Sequence, residues 1–99
     1  EGAMWLIVTY DVNTEDKSGQ KRLRRVAKVC KSYGQRVQKS VFECSVNDMQ
    51  YEQMKRELVR EIDKACDSLR IYRLIGARDC VIDSFGVDDF VNFEEPLIV

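Results

Sequence analysis

Apolar residues fill positions 4–12 almost without interruption, from Met4, Trp5 and Leu6 through Ile7, Val8 and Tyr10 to Val12, and Asp11 is the one charge among them. A short run of this kind is a strand covered on at least one face. A strand is therefore predicted over 4–12, with Asp11 at its C-terminal end. A polar loop follows over 13–19, after which Leu23, Val26, Ala27 and Cys30 recur at helical spacing while Arg24, Arg25, Lys28 and Lys31 fall on the other side. That spacing predicts an amphipathic helix with a basic outer face. It stops at Tyr33-Gly34, where glycine best tolerates the left-handed conformation of a helix end. From 35 to 46 the period changes to two, with Val41, Glu43 and Ser45 on one side and Phe42, Cys44 and Val46 on the other. A break near Lys39-Ser40 either divides this stretch into two short strands or bends one. Asn47 or Asp48 caps a second helix, with Tyr51, Met54, Leu58, Ile62 and Ala65 as its buried stripe and Glu52, Arg56, Glu57 and Arg60 as its solvated side. Strands over 68–75 and 80–85, joined through Gly76-Ala77-Arg78-Asp79, complete the pattern.

The order strand, helix, strand, strand, helix, strand predicts an α+β, ferredoxin-like βαββαβ sandwich: an antiparallel sheet with two helices on one face and an additional C-terminal strand that needs an edge. Ninety-nine residues make a single domain, taken as 4–99, because Glu1-Gly2-Ala3 ahead of Met4 reads as the remnant of an expression tag. So small a domain gains from burying apolar surface against a second copy. Residues 79–99 carry six acids and no base and end in Pro96-Leu97-Ile98-Val99. An apolar terminus of this kind is expected to dock, with a second subunit as the docking site.

Composition narrows the chemistry. Apolar residues at 44% and charged residues at 33% describe an ordinary soluble protein, and no apolar run approaches the ~20 residues needed to span a bilayer. A cytoplasmic protein without membrane anchor or signal peptide is expected. Cys30, Cys44, Cys66 and Cys80 are widely spaced and the chain has no histidine, which excludes the usual zinc patterns. Reduced thiols packed as small hydrophobes are expected instead. Without histidine, catalysis rests on carboxylates, water and metal. The net charge of -1 conceals a local cationic surface, since residues 17–39 hold nine Lys or Arg and no acid. A lone carboxylate beside such a surface suggests phosphodiester chemistry.

Several segments carry a resemblance. The strand from Leu6 to Val12, the helix segment Arg22-Leu23-Arg24-Arg25-Val26-Ala27-Lys28, the stretch from Gly34 through Arg36 and Phe42 to Cys44, the strand Ser68-Leu69-Arg70-Ile71-Tyr72-Arg73 and the ending Pro96-Leu97-Ile98-Val99 together resemble the second CRISPR-associated protein. That family is the small partner of the CRISPR integrase in spacer acquisition, and the likeness is nearest to versions from type I-C systems. The resemblance implies a homodimer whose first-strand aspartates face each other across a cleft and hold a divalent metal, Mg²⁺ or Mn²⁺. It also implies two roles: a metal-dependent endonuclease on RNA or double-stranded DNA, and a scaffold for the integrase that needs no catalysis of its own.

Candidate site residues follow from both lines. Asp11 is the metal ligand and, with Tyr10, the catalytic candidate; the bland alternative is a strand-end carboxylate bonded to backbone. Tyr10 points to the opposite face from Asp11 if the pleat continues, which leaves a core role open. Arg36 favours phosphate contact over a structural ion pair, and Phe42 favours core over base stacking while supporting the cleft. Lys21, Arg22, Arg24, Arg25, Lys28, Lys31 and Lys39 join Arg36 as the nucleic-acid surface, against the alternative of a merely solvated face. Such contacts reach phosphates and read no sequence. An RNA-recognition or small-ligand regulatory domain is a weaker third reading, disfavoured by few aromatics at strand centres and no glycine-rich loop.

Overall fold

The computed structural model describes residues 3–75 and 79–87. Strand β1 (Met4–Asp11) buries Leu6, Val8 and Tyr10 on one face and leaves Ile7 and Thr9 half-buried on the other. Helix α1 (Lys17–Tyr33) begins at Asp16, whose Oδ1 accepts the Gly19 N–H at 2.9 Å and so satisfies one of the helix's free donors. The helix ends as predicted, but for a different reason. Gly34 is extended, with φ −164°, and opens strand β2 (Gly34–Gln38) directly. Its Cβ would lie 2.1 Å from the Glu43 carbonyl and 2.5 Å from Cys44 Sγ, so close strand approach, not left-handed backbone, demands glycine there.

Strand β3 (Val41–Val46) follows a Lys39–Ser40 turn, so the period-two stretch is a hairpin. A register shift between Arg36 and Gln38 marks a bulge in β2, which bends the edge strand and re-aims its side chains. Helix α2 (Asp48–Glu61) starts with a capping box, Gln50 N–H to Asn47 Oδ1 at 2.8 Å and Asn47 N–H to Gln50 Oε1 at 2.9 Å. Tyr51, Met54, Leu58 and Ile62 are buried as predicted, whereas Ala65 is exposed. The helix stops at Glu61 and Ile62 is already extended, so the periodicity no longer applies at Ala65. Strands β4 (Ser68–Ile75) and β5 (Asp79–Gly86) complete an antiparallel sheet of order β2-β3-β1-β4-β5. The additional strand thus takes the edge of β4.

Both helices lie on one face, with α1 packed on α2, β2 and β3, over a core that includes Leu6, Val8, Val26, Phe42, Met54, Leu58, Leu69 and Ile71. Residues opposite one another on neighbouring strands share a face. The other face therefore carries the paired Trp5 and Leu74, 55% and 43% exposed, with the Ile7, Tyr72 and Ile82 row beside them. Cys30 and Cys44 pack in the core as expected of small hydrophobes, while Cys66 and Cys80 are exposed, the first in the turn after α2 and the second opposite Leu74. All four are free. No helix among the described residues is long and apolar enough to cross a membrane. The apolar ending Pro96-Leu97-Ile98-Val99, expected to dock on a second subunit, lies outside the described residues.

Candidate active site and basic surface

Alternation along β1 decides what Asp11 meets. Because Tyr10 faces the helices, Asp11 emerges on the opposite side of the sheet, exposed and in register with Ser68. It lines a recess of about 180 Å³ with Asn13, Cys66, Ser68 and Val87. One side chain holds the walls of that recess in place. Asp67, fully buried, accepts the Asn13 N–H at Oδ1 and the Asp63 N–H at Oδ2, at 2.9 and 2.8 Å. Arg22 grips both its oxygens, with Nε at 2.8 Å from Oδ2 and Nη2 at 3.2 Å from Oδ1. The Asp67 carbonyl accepts the Val87 N–H at 2.8 Å. At Gly86, φ is +86° and a Cβ would lie 2.1 Å from that same carbonyl, so the sheet edge closes over Asp67 only because glycine stands there. Burial alone would raise the Asp67 pKa, but the Arg22 fork and the Asp63 and Asn13 donors outweigh it and hold the carboxyl below its usual value.

Sequence spacing put Arg22 on the flank of the nucleic-acid surface, but its guanidinium is engaged by Asp67, the Ser18 hydroxyl and the Asn13 carbonyl. Asp67 itself was not anticipated: an acid between a helix and a strand ordinarily signals a solvated loop, and its partner lies 45 positions away. Among the described residues no three His, Cys, Asp or Glu converge as a metal site. One chain offers the carboxylate of Asp11. A hard cation such as Mg²⁺ keeps several waters and takes one or two carboxylates with substrate phosphate, so the donor chemistry fits a site completed by a second copy.

Tyr10, Arg36 and Phe42 assemble on the helix side. Tyr10 is 5% exposed and its ring stacks on buried Phe42 with centroids 6.2 Å apart. The Arg36 guanidinium lies 5.2 Å from the Phe42 ring centroid, a cation–π arrangement that fixes an otherwise mobile side chain. Burial, with Cys30 adding to it, pushes the Tyr10 hydroxyl above its usual pKa, while Arg36 and Ser40 pull it back. Asp11 and Tyr10, paired as catalytic candidates, thus stand on opposite faces of the sheet within one chain. The structure brings Arg36 and Phe42 to Tyr10 rather than to Asp11.

The outer side of α1 carries Lys21, Arg24, Arg25, Lys28 and Lys31, all exposed. Their spacing of three and four makes one stripe along the helix. Arg36 and Lys39, exposed on the hairpin, extend it, and Arg24, Arg36 and Lys39 line a common cavity with Tyr10, Leu23, Ala27 and Ser40.

A family model described as CRISPR associated protein Cas2 matches residues 4–79. The chain is 54% identical over 96 residues to the CRISPR-associated endoribonuclease Cas2 1 of Moorella thermoacetica, covering 97% of this chain and 100% of that protein. It is 48% identical over 95 residues to the CRISPR-associated endonuclease Cas2 of Halalkalibacterium halodurans, covering 96% and 99%. Its fold matches the crystal structure of Streptococcus pyogenes Cas2 at pH 6.5 with a TM-score of 0.67 and 56% identity, over 74% of this chain and 87% of that one. A further crystal structure of Cas2 matches with a TM-score of 0.63 and 31% identity, over 98% and 97%.

Proposed function

The chain belongs to the Cas2 family of CRISPR-associated proteins, and from that premise we propose that it is a divalent-metal-dependent endonuclease of phosphodiester bonds, working as a homodimer in the spacer-acquisition complex with the integrase. The observation that carries this reading is the placement of Asp11: exposed at the end of the sheet's middle strand, on its open face, beside a recess held by Asp67. Trp5, Ile7 and Asp11 occupy alternate positions of β1 and share that face. Two copies meeting there would bury the Trp5–Leu74 patch and bring both Asp11 side chains to one interface.

In that arrangement Asp11 from each copy would hold Mg²⁺ or Mn²⁺. The bound ion would supply Lewis-acid charge to the scissile phosphate and make the attacking water more acidic, chemistry that dispenses with the absent histidine. The chain's own part is to bind and align. Exposed cations of α1 hold phosphates without reading bases, so sequence preference is low and affinity falls with salt. The proteins it resembles bear both endoribonuclease and endonuclease names, which supports testing RNA and duplex DNA together.

Cleavage of single-stranded RNA and duplex DNA with Mg²⁺ or EDTA, comparing the wild type with Asp11→Ala, tests the reading. Cutting that needs metal and disappears in the variant supports it; equal cutting by both proteins sinks it. A second reading, a dimeric DNA-holding scaffold for the integrase, is favoured by the acid-free stripe on α1 and by the single carboxylate at the recess. Under that reading spacer acquisition survives Asp11→Ala and is lost on charge reversal at Arg24 and Arg25.

A further inference from the structure

We propose that the cavity between α1 and the β2–β3 hairpin binds a phosphate monoester, carried either by the end of a nucleic-acid strand or by a free mononucleotide. The cavity holds about 330 Å³, within the roughly 300–1,000 Å³ typical of small-ligand sites. Its lining is divided by chemistry. Leu23 and Ala27 of α1 supply an apolar wall, Tyr10 and Ser40 supply hydroxyls, and three cations converge from three places: Arg24 on α1, Arg36 on β2 and Lys39 in the turn. None of the described lining residues is acidic. Three like charges around one hollow repel one another, and an anion between them removes that repulsion while accepting charge-assisted hydrogen bonds.

The site is prepared as well as charged. Arg36 lies over Phe42, which stacks on Tyr10, so the phenol is set by the core and the exposed guanidinium rests one face on it. Tyr10 lines the cavity, and its phenol O–H is a donor for a phosphate oxygen. A monoester suits the lining better than an internal diester. It carries about −1.5 to −2 charges at neutral pH against the single charge of a backbone phosphate, and it lets Leu23 and Ala27 face the attached nucleoside. The lining shares no residue with the Asp11 recess and lies on the other face of the sheet. Occupancy can therefore be read apart from the Asp11 recess; the strand-end source rests on the nucleic-acid reading above.

The test measures binding of 5′-phosphorylated and 5′-hydroxyl oligonucleotides of one sequence to the full chain, with AMP titrated separately and followed by NMR. The phosphorylated strand is expected to bind about tenfold more tightly, the effect of one charge-assisted contact. That preference should vanish in Arg36→Gln and in Ala27→Leu, which fills the cavity without changing charge. AMP should shift the amide signals of Leu23, Ala27 and Ser40. Shifts with AMP but equal affinity for the two strands support the site and assign it to free mononucleotides. Equal affinity without AMP shifts overturns the inference, as does a preference that survives both variants. Failure to bind either strand removes the nucleic-acid reading instead, and the AMP shifts then decide the cavity alone: their presence supports it and their absence overturns it.

Discussion

Asp67, immediately before β4, accepts the Asn13 and Asp63 N–H groups and the Arg22 guanidinium, and Gly86 at the end of β5 lets that strand close over it. Removing one partner of a buried pair leaves an uncompensated charge. Asp67→Ala is accordingly expected to lower Tm by about 12 °C or more, measured by calorimetry. The pH dependence follows from the direction of its shift. A carboxyl whose folded pKa is depressed stabilises fully above the unfolded value, about 3.9, and loses that contribution as pH falls through the folded value. Tm of the wild type should therefore fall below about pH 4, and Asp67→Asn should flatten the curve in that window. The cysteines give a second residue-level expectation. Burial pushes Cys30 to about 12 and Cys44 to about 11, so neither forms thiolate in the native state at pH 8. A timed alkylation read by mass spectrometry should label the exposed Cys80 and Cys66, Cys66 more slowly because partial desolvation and the neighbouring Asp67 and Asp63 raise its pKa, and should reach Cys30 and Cys44 only on unfolding. At this scale the sequence was informative wherever a residue's neighbours in the chain decide its role. Tyr10 and Asp11 were set on opposite faces by pleat alone, whereas the pairing of Arg22 with Asp67 was not visible because its partner lies far along the chain.

Elements were legible because each has its own punctuation. The Lys39–Ser40 break became a hairpin turn, Asn47 capped α2 through Gln50, and the two-period stretches became β3, β4 and β5. Asn47→Ala removes the accepting side of the capping box and should cost about 1 kcal/mol, read from urea unfolding with an unchanged m-value. What the pattern did not show is how an edge strand is held. Arg73 on β4 pairs with Asp83 on β5 at 2.7 Å, Asp83 accepts the Tyr51 hydroxyl of α2, and the Arg73 guanidinium lies 5.2 Å from the Tyr51 ring centroid. This cluster ties the last described strand to a helix, and periodicity carries no information about cross-element pairs. Gly34 and Ala65 teach the same lesson from opposite sides. The glycine was recognised but assigned to a left-handed helix end when its need is close packing, and the alanine was extrapolated from a helix that had already ended.

For the whole molecule, the distribution of charge matters more than its sum. A net charge of -1 gives no attraction to nucleic acid, yet the α1 stripe is exposed and unopposed by acids in its own segment. The logarithm of affinity should fall with the logarithm of salt concentration by about 0.9 for each duplex phosphate contacted. The double variant Arg24→Ala/Arg25→Ala should then reduce that slope by about 1.8, in a titration of duplex binding from low to high salt. The architecture was readable from element order and the split of Tyr10 and Asp11 from the pleat, while which of the two faces the helices cover was not, since it depends on how β1 is oriented between the helices and the open surface. The chain also carries its own optical reporter. It has a single tryptophan, Trp5, and that indole stands 55% exposed on the open sheet face. Dilute protein should emit at the long wavelengths of a hydrated indole and be quenched readily by acrylamide. If that face is where copies meet, emission should move to shorter wavelengths and escape the quencher as concentration rises. Self-association can thus be followed without any label, at the surface that Asp11 shares.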